Sequence, residues 1–473
     1  MKSLVLYDNS DAEWPLEPDV VGDPCTIGLL LRYSGKTLSD LKQEGDDQIV
    51  VVGREDGPDE DIPFFMVYPI SYDKDDPNRV VRVRIVTSNL MGVVRLPDRK
   101  THGGLVVEVR SRFDRQGEDP NRGQPFVNYL LSRIYDVDFA GLVPADNQSS
   151  WDVLVALQFV RLLGEAISGG LYKQYRNFRL NDFNFKGRLD LARHIRENMP
   201  VGRGIAYEKR EIVFDVPLNH LLRHAAELID KKWPGMIARN HAALKMLALL
   251  RVNTPTWNVR GASEILRRKD SHCQVMHPFF RERYEPLREL AVMLLSDDCI
   301  GVYGADEERE VSGVIFNGAW LWEEYLATVL TPKGFVHSDC ASIGRHDVFR
   351  DCHNQYGQGL YPDFYRGHNG GIVLDAKYKH SPQGLKSDAQ RLDVFQMMTY
   401  VLNTGAWTAG LIYPPVPRGE NKSSANVISP LVNCRWRTFA YAPMDPDVEI
   451  EKYMMEQERE LLLFTGADEC DVE

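Results

Sequence analysis

Two aspartates and a lysine stand close together in the stretch YPDFYRGHNGGIVLDAKYKH, Tyr361 to His380. A glycine-rich turn separates Asp363 from Asp375, and Lys377 follows two residues later. Carboxylates brought within hydrogen-bond range repel each other. Hard oxygen donors of this kind suit Mg²⁺, with Mn²⁺ as a substitute, and Mg²⁺ takes water and phosphate oxygens as its other ligands. A neighbouring lysine can orient or activate a water, or neutralise charge growing on a phosphate. The chemistry would be hydrolysis of a phosphodiester. The plainer alternative is a surface hairpin whose acids and lysine make weak ion pairs.

The backbone must bring these groups together. In GGIVLDAKYKH side chains alternate between faces, so Asp375 and Lys377 point one way and Ala376 the other. The preceding Ile-Val-Leu run is apolar throughout, as in a strand covered on both faces. Charged groups at the end of such a strand are costly unless they are paired or hold something. Parity then decides where Asp363 falls. A two-residue Asn369-Gly370 turn would set Ala376 opposite Asp363 and split the acids between faces. An odd-length loop, such as three residues with a glycine bulge that uses Gly371, puts Asp363 opposite Asp375 or Lys377. An odd loop is the expectation here.

Two helical patterns flank the hairpin. In LWEEYLATVL, residues Trp322, Tyr325, Leu326, Val329 and Leu330 form one apolar stripe. Glu323 falls at its border and can reach the site, whereas Glu324 should face solvent. Downstream, Asp393, Gln396 and Tyr400 share one helical face beside the proposed centre.

The chain has 473 residues, a net charge of −12 and 43% hydrophobic content. These values fit a soluble globular protein of several domains and argue weakly against wholesale coating of nucleic acid. Seven scattered cysteines without a C-x-x-C pair speak for a reduced, cytoplasmic setting rather than a zinc ribbon. No secretory core opens the chain, and no apolar run approaches a membrane span, so no membrane partner is expected. Composition and periodicity divide the chain into four parts: a β-rich N-terminal domain (1–135), a mainly helical middle (136–300), an α/β domain (301–445) and an acidic C-terminal tail (446–473). The fold class is therefore α/β, in the multidomain α+β sense.

Two further stretches invite functional readings. In KGRLDLARHIREN, Arg188, Arg193 and Arg196 would serve either as phosphate contacts to double-stranded DNA or as internal ion pairs with the acids beside them. GLLLRYSGKT, Gly28 to Thr37, has Leu30 where a phosphate-binding loop needs its first glycine, and so reads as a turn. The chain carries no nucleotide motor of its own.

YPDFYRGHNGGIVLDAKYK, preceded by LWEEYL and followed by DVFQMMTYV, resembles the PD-(D/E)xK nuclease core of restriction endonucleases. The Q-x-x-x-Y helix is similar to the RecB-like branch, and the closer resemblance is to McrC, the nuclease subunit of McrBC-type modification-dependent restriction systems. The segment from Phe185 through Ile229 is similar to the region that precedes the nuclease domain in McrC-like proteins. The resemblance implies that Asp363 and Asp375 bind the metal, with Glu323 and the carbonyl of Ala376 as further ligands. Lys377 then corresponds to the catalytic lysine, and Gln396 and Tyr400 to an accessory pair. It implies DNA cleavage in anti-phage defence alongside an McrB-like AAA+ GTPase or ATPase hexamer. The acid-rich Glu55–Asp61 stretch has no counterpart in this pattern. A stand-alone RecB-like repair nuclease and a non-catalytic adaptor for DNA or an ATPase remain as alternatives.

Overall fold

The computed structural model describes residues 2–15, 24–44, 49–52, 61–72, 80–98, 103–114, 124–136, 150–199, 202–255, 258, 275, 277–299, 312–338, 346–347, 359–367, 371–379, 388–415, 427–429, 434–442 and 448–466. The Asn369-Gly370 pair and most of the Glu55–Asp61 stretch lie outside the described residues. The chain is a mixed α/β protein of two compact units. One comprises residues 1–147 and 308–473, the other residues 148–307.

In the first unit a five-stranded sheet runs in the order Lys2–Tyr7, Gly103–Arg110, Leu90–Asp98, Ser312–Asn317, Ile49–Val52. Its fourth strand comes from far down the chain. Ser312–Asn317 pairs antiparallel with Leu90–Asp98 and parallel with Ile49–Val52. The β-branched runs expected in this region thus form strands, and Leu4, Leu6, Val94, Leu96, Val107, Val109 and Ile315 bury their side chains in one core. Gly92 fits only as glycine, since a Cβ there would lie 2.0 Å from the carbonyl oxygen of Val314. Helix Pro24–Tyr33 takes up Gly28, and the chain turns at Gly35 with φ +73°. Thr37 and Asp40 then cap the next helix reciprocally, at 3.0 and 3.2 Å. Gly28–Thr37 is therefore a helix end and a turn.

A six-stranded sheet in the same unit holds the acidic hairpin. Its order is Val336–His337, Phe364–Arg366, Ile372–Ala376, Thr408–Tyr413, Cys434–Ala440, Val427–Ser429. The central strand Ile372–Ala376 runs antiparallel to Phe364–Arg366 and parallel to Thr408–Tyr413, and its apolar residues are buried, as a doubly covered strand requires. Helices Gly318–Leu330 and Asp388–Thr404 both pack against this strand. The C-terminal stretch expected as an acidic tail contains the helix Ile450–Thr465, with Tyr453, Met454 and Leu461 buried. It packs on helix Pro125–Tyr135, and Glu458 accepts hydrogen bonds from Tyr129 at 3.0 Å and Tyr325 at 2.9 Å.

The second unit is mainly helical, with Ser150–Ala166, Pro217–Lys232, His241–Asn253 and Pro278–Cys299 as its long helices. A three-stranded sheet of Gln174–Asp182, Ile205–Val213 and Arg188–Leu189 joins them, with the short helix Leu191–Asn198. Among the described residues of both units, no helix is long and apolar enough to cross a membrane.

Candidate active site

The hairpin register settles the parity question. Phe364 pairs with Leu374, Tyr365 with Val373 and Arg366 with Ile372, so one further step sets Asp363 level with Asp375. Residues 367–371 lie between the last paired residues, which makes an odd loop of five rather than three. Its two ends are glycines for distinct reasons. Gly367 has φ +80°, and a Cβ on Gly371 would approach the Arg366 carbonyl oxygen to 2.2 Å.

Asp363 Oδ2 accepts a hydrogen bond from the backbone N–H of Ala376 at 2.6 Å, which fixes it over the end of the neighbouring strand. Asp375 is buried, and its Oδ2 lies 2.5 Å from Lys377 Nζ. That oxygen is buried without a hydrogen bond of good geometry. Burial, followed by the charges of Asp375 and Glu323, pushes the Asp363 carboxyl well above the usual carboxylate range. Burial also raises Asp375, against the opposing pull of Lys377. For Lys377 itself burial disfavours the ammonium, but the Asp375 carboxylate outweighs this and raises its pKa.

The accessory residues join this centre. Lys377 Nζ donates to Gln396 Oε1 at 2.9 Å, Gln396 Nε2 donates to the Tyr400 hydroxyl at 2.8 Å, and that hydroxyl donates to the Tyr361 carbonyl at 3.1 Å. A continuous chain of hydrogen bonds thus runs from the lysine across helix Asp388–Thr404 to the hairpin's first residue. Asp393 on the same helical face binds Lys379 Nζ at 2.5 Å and stands 3.9 Å from Lys377 Nζ.

Helix Gly318–Leu330 begins where Asn317 caps it, its side chain accepting from the Ala319 N–H at 2.7 Å. All five stripe residues, Trp322, Tyr325, Leu326, Val329 and Leu330, are buried. Glu323 sits at the stripe's border, and its Oε1 lies 3.0 Å from His337 Nε2. Glu324, expected in solvent, is half-buried. His337 stacks on Phe364, the residue after Asp363, with ring centroids 5.1 Å apart. Nothing in the sequence marked His337. Its signal is positional, a histidine in a strand that pairs with Phe364.

Arg188, Arg193 and Arg196 lie in the other unit. Arg193 is engaged internally: it donates to the carbonyls of Leu180 at 2.6 Å and Tyr207 at 2.9 Å and faces Asp190 at 3.6 Å. Of the two readings for this stretch, internal bonding is the one Arg193 makes. Arg188 and Arg196 are exposed, the latter with Glu197 at 3.5 Å.

The six-stranded sheet and the helix Asp388–Thr404 beside it therefore bring two carboxylates, a lysine, a glutamine and a tyrosine to one place. A family model described as McrBC 5-methylcytosine restriction system component matches residues 85–414. The chain belongs to that family, as its motifs led one to expect. None of the curated proteins matches it in sequence. A refined half-complex from the tetradecameric assembly of Thermococcus gammatolerans McrB AAA+ hexamers with bound McrC holds a chain 15% identical to this one. Its TM-score is 0.47, over 97% of this chain and 100% of that chain. The cryo-EM structure of the Thermococcus gammatolerans McrBC complex holds a chain that is 16% identical, with TM-score 0.32, over 70% of this chain and 88% of that chain.

Proposed function

We propose that this protein is the DNA-cleaving subunit of an McrBC-type restriction system, with a PD-(D/E)xK nuclease core, acting on phosphodiester bonds with Mg²⁺. The observation that carries this reading is the meeting of Asp363, Asp375, Lys377 and Gln396 at the end of one buried strand. A binding module has no use for buried like charges held at such cost.

The donor set fits a hard divalent cation. Two converging carboxylates, one with an oxygen buried and lacking a well-aligned hydrogen bond, supply oxygen ligands. Among the described residues no group of three His, Cys, Asp or Glu side chains closes into a metal cage. Mg²⁺ needs no such cage, because one or two carboxylates with water and substrate phosphate suffice. Asp363 and Asp375 would hold the ion, with the Ala376 carbonyl and Glu323 as further donors. When bound, the ion would polarise the phosphate and lower the pKa of a ligated water. Lys377, neutralised on one side by Asp375 and steadied on the other by Gln396, directs its ammonium toward the phosphate and orients the attacking water. Tyr400 and Gln396 keep that amine from swinging away.

Family membership supports an AAA+ partner of the McrB type, to which the recognition of modified DNA would fall. The test uses the full chain with an McrB-type partner, its nucleotide, Mg²⁺ and plasmid DNA carrying 5-methylcytosine. Wild type cleaves. Asp375→Ala and Lys377→Ala do not, while their circular dichroism is unchanged. Full cleavage by both variants refutes the proposal. Cleavage of linear DNA without partner or nucleotide would instead favour a stand-alone repair nuclease.

A further inference from the structure

Lys377 is held by its backbone at two points. Its N–H donates to the Ile412 carbonyl at 2.8 Å, which continues the parallel pairing of the central strand. One residue later, the Tyr378 carbonyl accepts from Arg112 Nη2, also at 2.8 Å. Arg112 follows the N-terminal strand Gly103–Arg110 and is 266 residues away in sequence.

The surroundings of Arg112 form a clamp. Its side chain is only 12% exposed. Asp8 accepts from its backbone N–H at 2.5 Å and faces its guanidinium at 3.9 Å. The guanidinium lies 4.9 Å from the Phe113 ring centroid and 5.2 Å from that of Tyr378. The Tyr378 hydroxyl is 3.1 Å from Ser111 Oγ, and its ring meets Phe113 edge-on. On another side the ring fills the space a Cβ on Gly318 would need, 2.5 Å from the nearest ring carbon. Gly318 opens the helix that carries Glu323.

This clamp is an expensive way to hold a fold together. Asp8 and Arg112 are both largely desolvated, and Arg112 Nε is buried without a hydrogen-bond partner. A buried pair of this kind adds little stability compared with apolar residues of similar volume. What it does supply is direction. The fork of Arg112 has a fixed geometry, so it sets where the strand leaves the sheet after Lys377. We infer that Arg112, oriented by Asp8, is a positioning residue for Lys377, so that the N-terminal sheet sets the geometry of the catalytic lysine. The inference rests on the nuclease reading of Lys377.

The test compares Arg112→Gln with Arg112→Lys, which keeps the charge facing Asp8 but loses the fork. Val107→Ala, a cavity in the same sheet, serves as the control for stability alone. In the full chain with an McrB-type partner, Mg²⁺ and methylated plasmid, both Arg112 variants should lower kcat by about ten- to a hundredfold with KM little changed. Val107→Ala should lower the melting temperature and leave kcat near wild type. A second readout needs no cleavage: acetylation of Lys377 in the full chain, followed by mass spectrometry, should be several times faster in both Arg112 variants. Folded Arg112 variants with wild-type kcat and wild-type labelling overturn the inference. If Arg112→Gln and Arg112→Lys fail to fold, Tyr378→Phe, which loosens the same clamp by removing the hydroxyl's bonds to Ser111 and Met91, must show the same pattern in milder form or the inference falls. If wild type itself does not cleave DNA, the nuclease reading is lost, and the labelling still decides whether Arg112 holds Lys377.

Discussion

Asp363 lies level with Asp375 on the neighbouring strand, and its Oδ2 is pinned by the Ala376 N–H at 2.6 Å. Two carboxyl groups are thus held together by the sheet itself, ahead of any cation, and burial with mutual repulsion disfavours their both being charged. Such preorganisation works against stability and in favour of binding.

That strain is measurable. In EDTA, Asp363→Asn should be as stable as wild type or more stable, by on the order of 1 kcal/mol, because it removes a buried ionisable carboxyl beside Asp375 and keeps an oxygen for the Ala376 N–H. Adding Mg²⁺ should then raise the melting temperature of wild type only. At a hundredfold excess over Kd the gain is about 2.7 kcal/mol. Equal Mg²⁺ shifts in both proteins would remove Asp363 from the metal site.

Gln396 and Tyr400 act in series on Lys377. Gln396→Ala should reduce kcat by about ten- to a hundredfold with little change in KM. Tyr400→Phe should do less, since it leaves Gln396 in place. The double variant should be no worse than Gln396→Ala alone, because both changes break one relay. Additive losses would mean that the two residues act separately.

Gly371→Ala tests the register. The added methyl collides with the Arg366 carbonyl and cannot be relieved by a side-chain rotation. A loss of about 1–3 kcal/mol is expected, with cleavage reduced more than stability accounts for. Unchanged melting and cleavage would show that the loop has another conformation.

Asp114 gives the protein a pH-dependent element away from the centre. Its carboxyl caps helix Pro125–Tyr135, accepting from the Phe126 and Val127 N–H groups, and burial raises its pKa to about 7. The folded state therefore binds a proton that the unfolded chain has already lost between pH ~4 and ~7, so this group's contribution to stability falls as pH rises through that window. Above about pH 7 the cost of ionising it is fully present. Asp114→Asn loses one cap bond, about 1 kcal/mol, but has no such slope. From pH 5 to pH 8 wild type should lose about 2–3 kcal/mol relative to Asp114→Asn in urea, more than the cap bond is worth, so that the variant becomes the more stable of the two. A constant gap would place the Asp114 pKa near its ordinary value.

Much of the region around Asp363 and Asp375 was legible because its signals are local. The stripe Trp322 to Leu330, the apolar Ile-Val-Leu strand and the spacing of Gln396 and Tyr400 each follow from a short period, and the fold buries or pairs them accordingly. Parity could pose the question of Asp363 and narrow it to odd loops, but not give the loop five residues. The grip of Arg112 on Tyr378 was illegible, since residues so far apart leave no periodic trace. For the same reason Ser312–Asn317 reads as an apolar run with no clue to its partners. Arg193 shows a different limit: a basic residue looks the same in sequence whether it meets phosphate or the carbonyls of Leu180 and Tyr207. The C-terminal helix was hidden by its charge, although Tyr453, Met454 and Leu461 fall on one side of it.

The placement of Ser312–Asn317 between Leu90–Asp98 and Ile49–Val52 has a consequence for biosynthesis. Both neighbours leave the ribosome long before it does. At ~5–20 residues per second, the roughly 200 residues in between take about 10–40 s to be made. During that interval two apolar strand edges wait without their partner. Such edges invite pairing with other chains. The nascent protein should therefore lean on a chaperone at this stage, and fragments ending before residue 312 should be the insoluble ones.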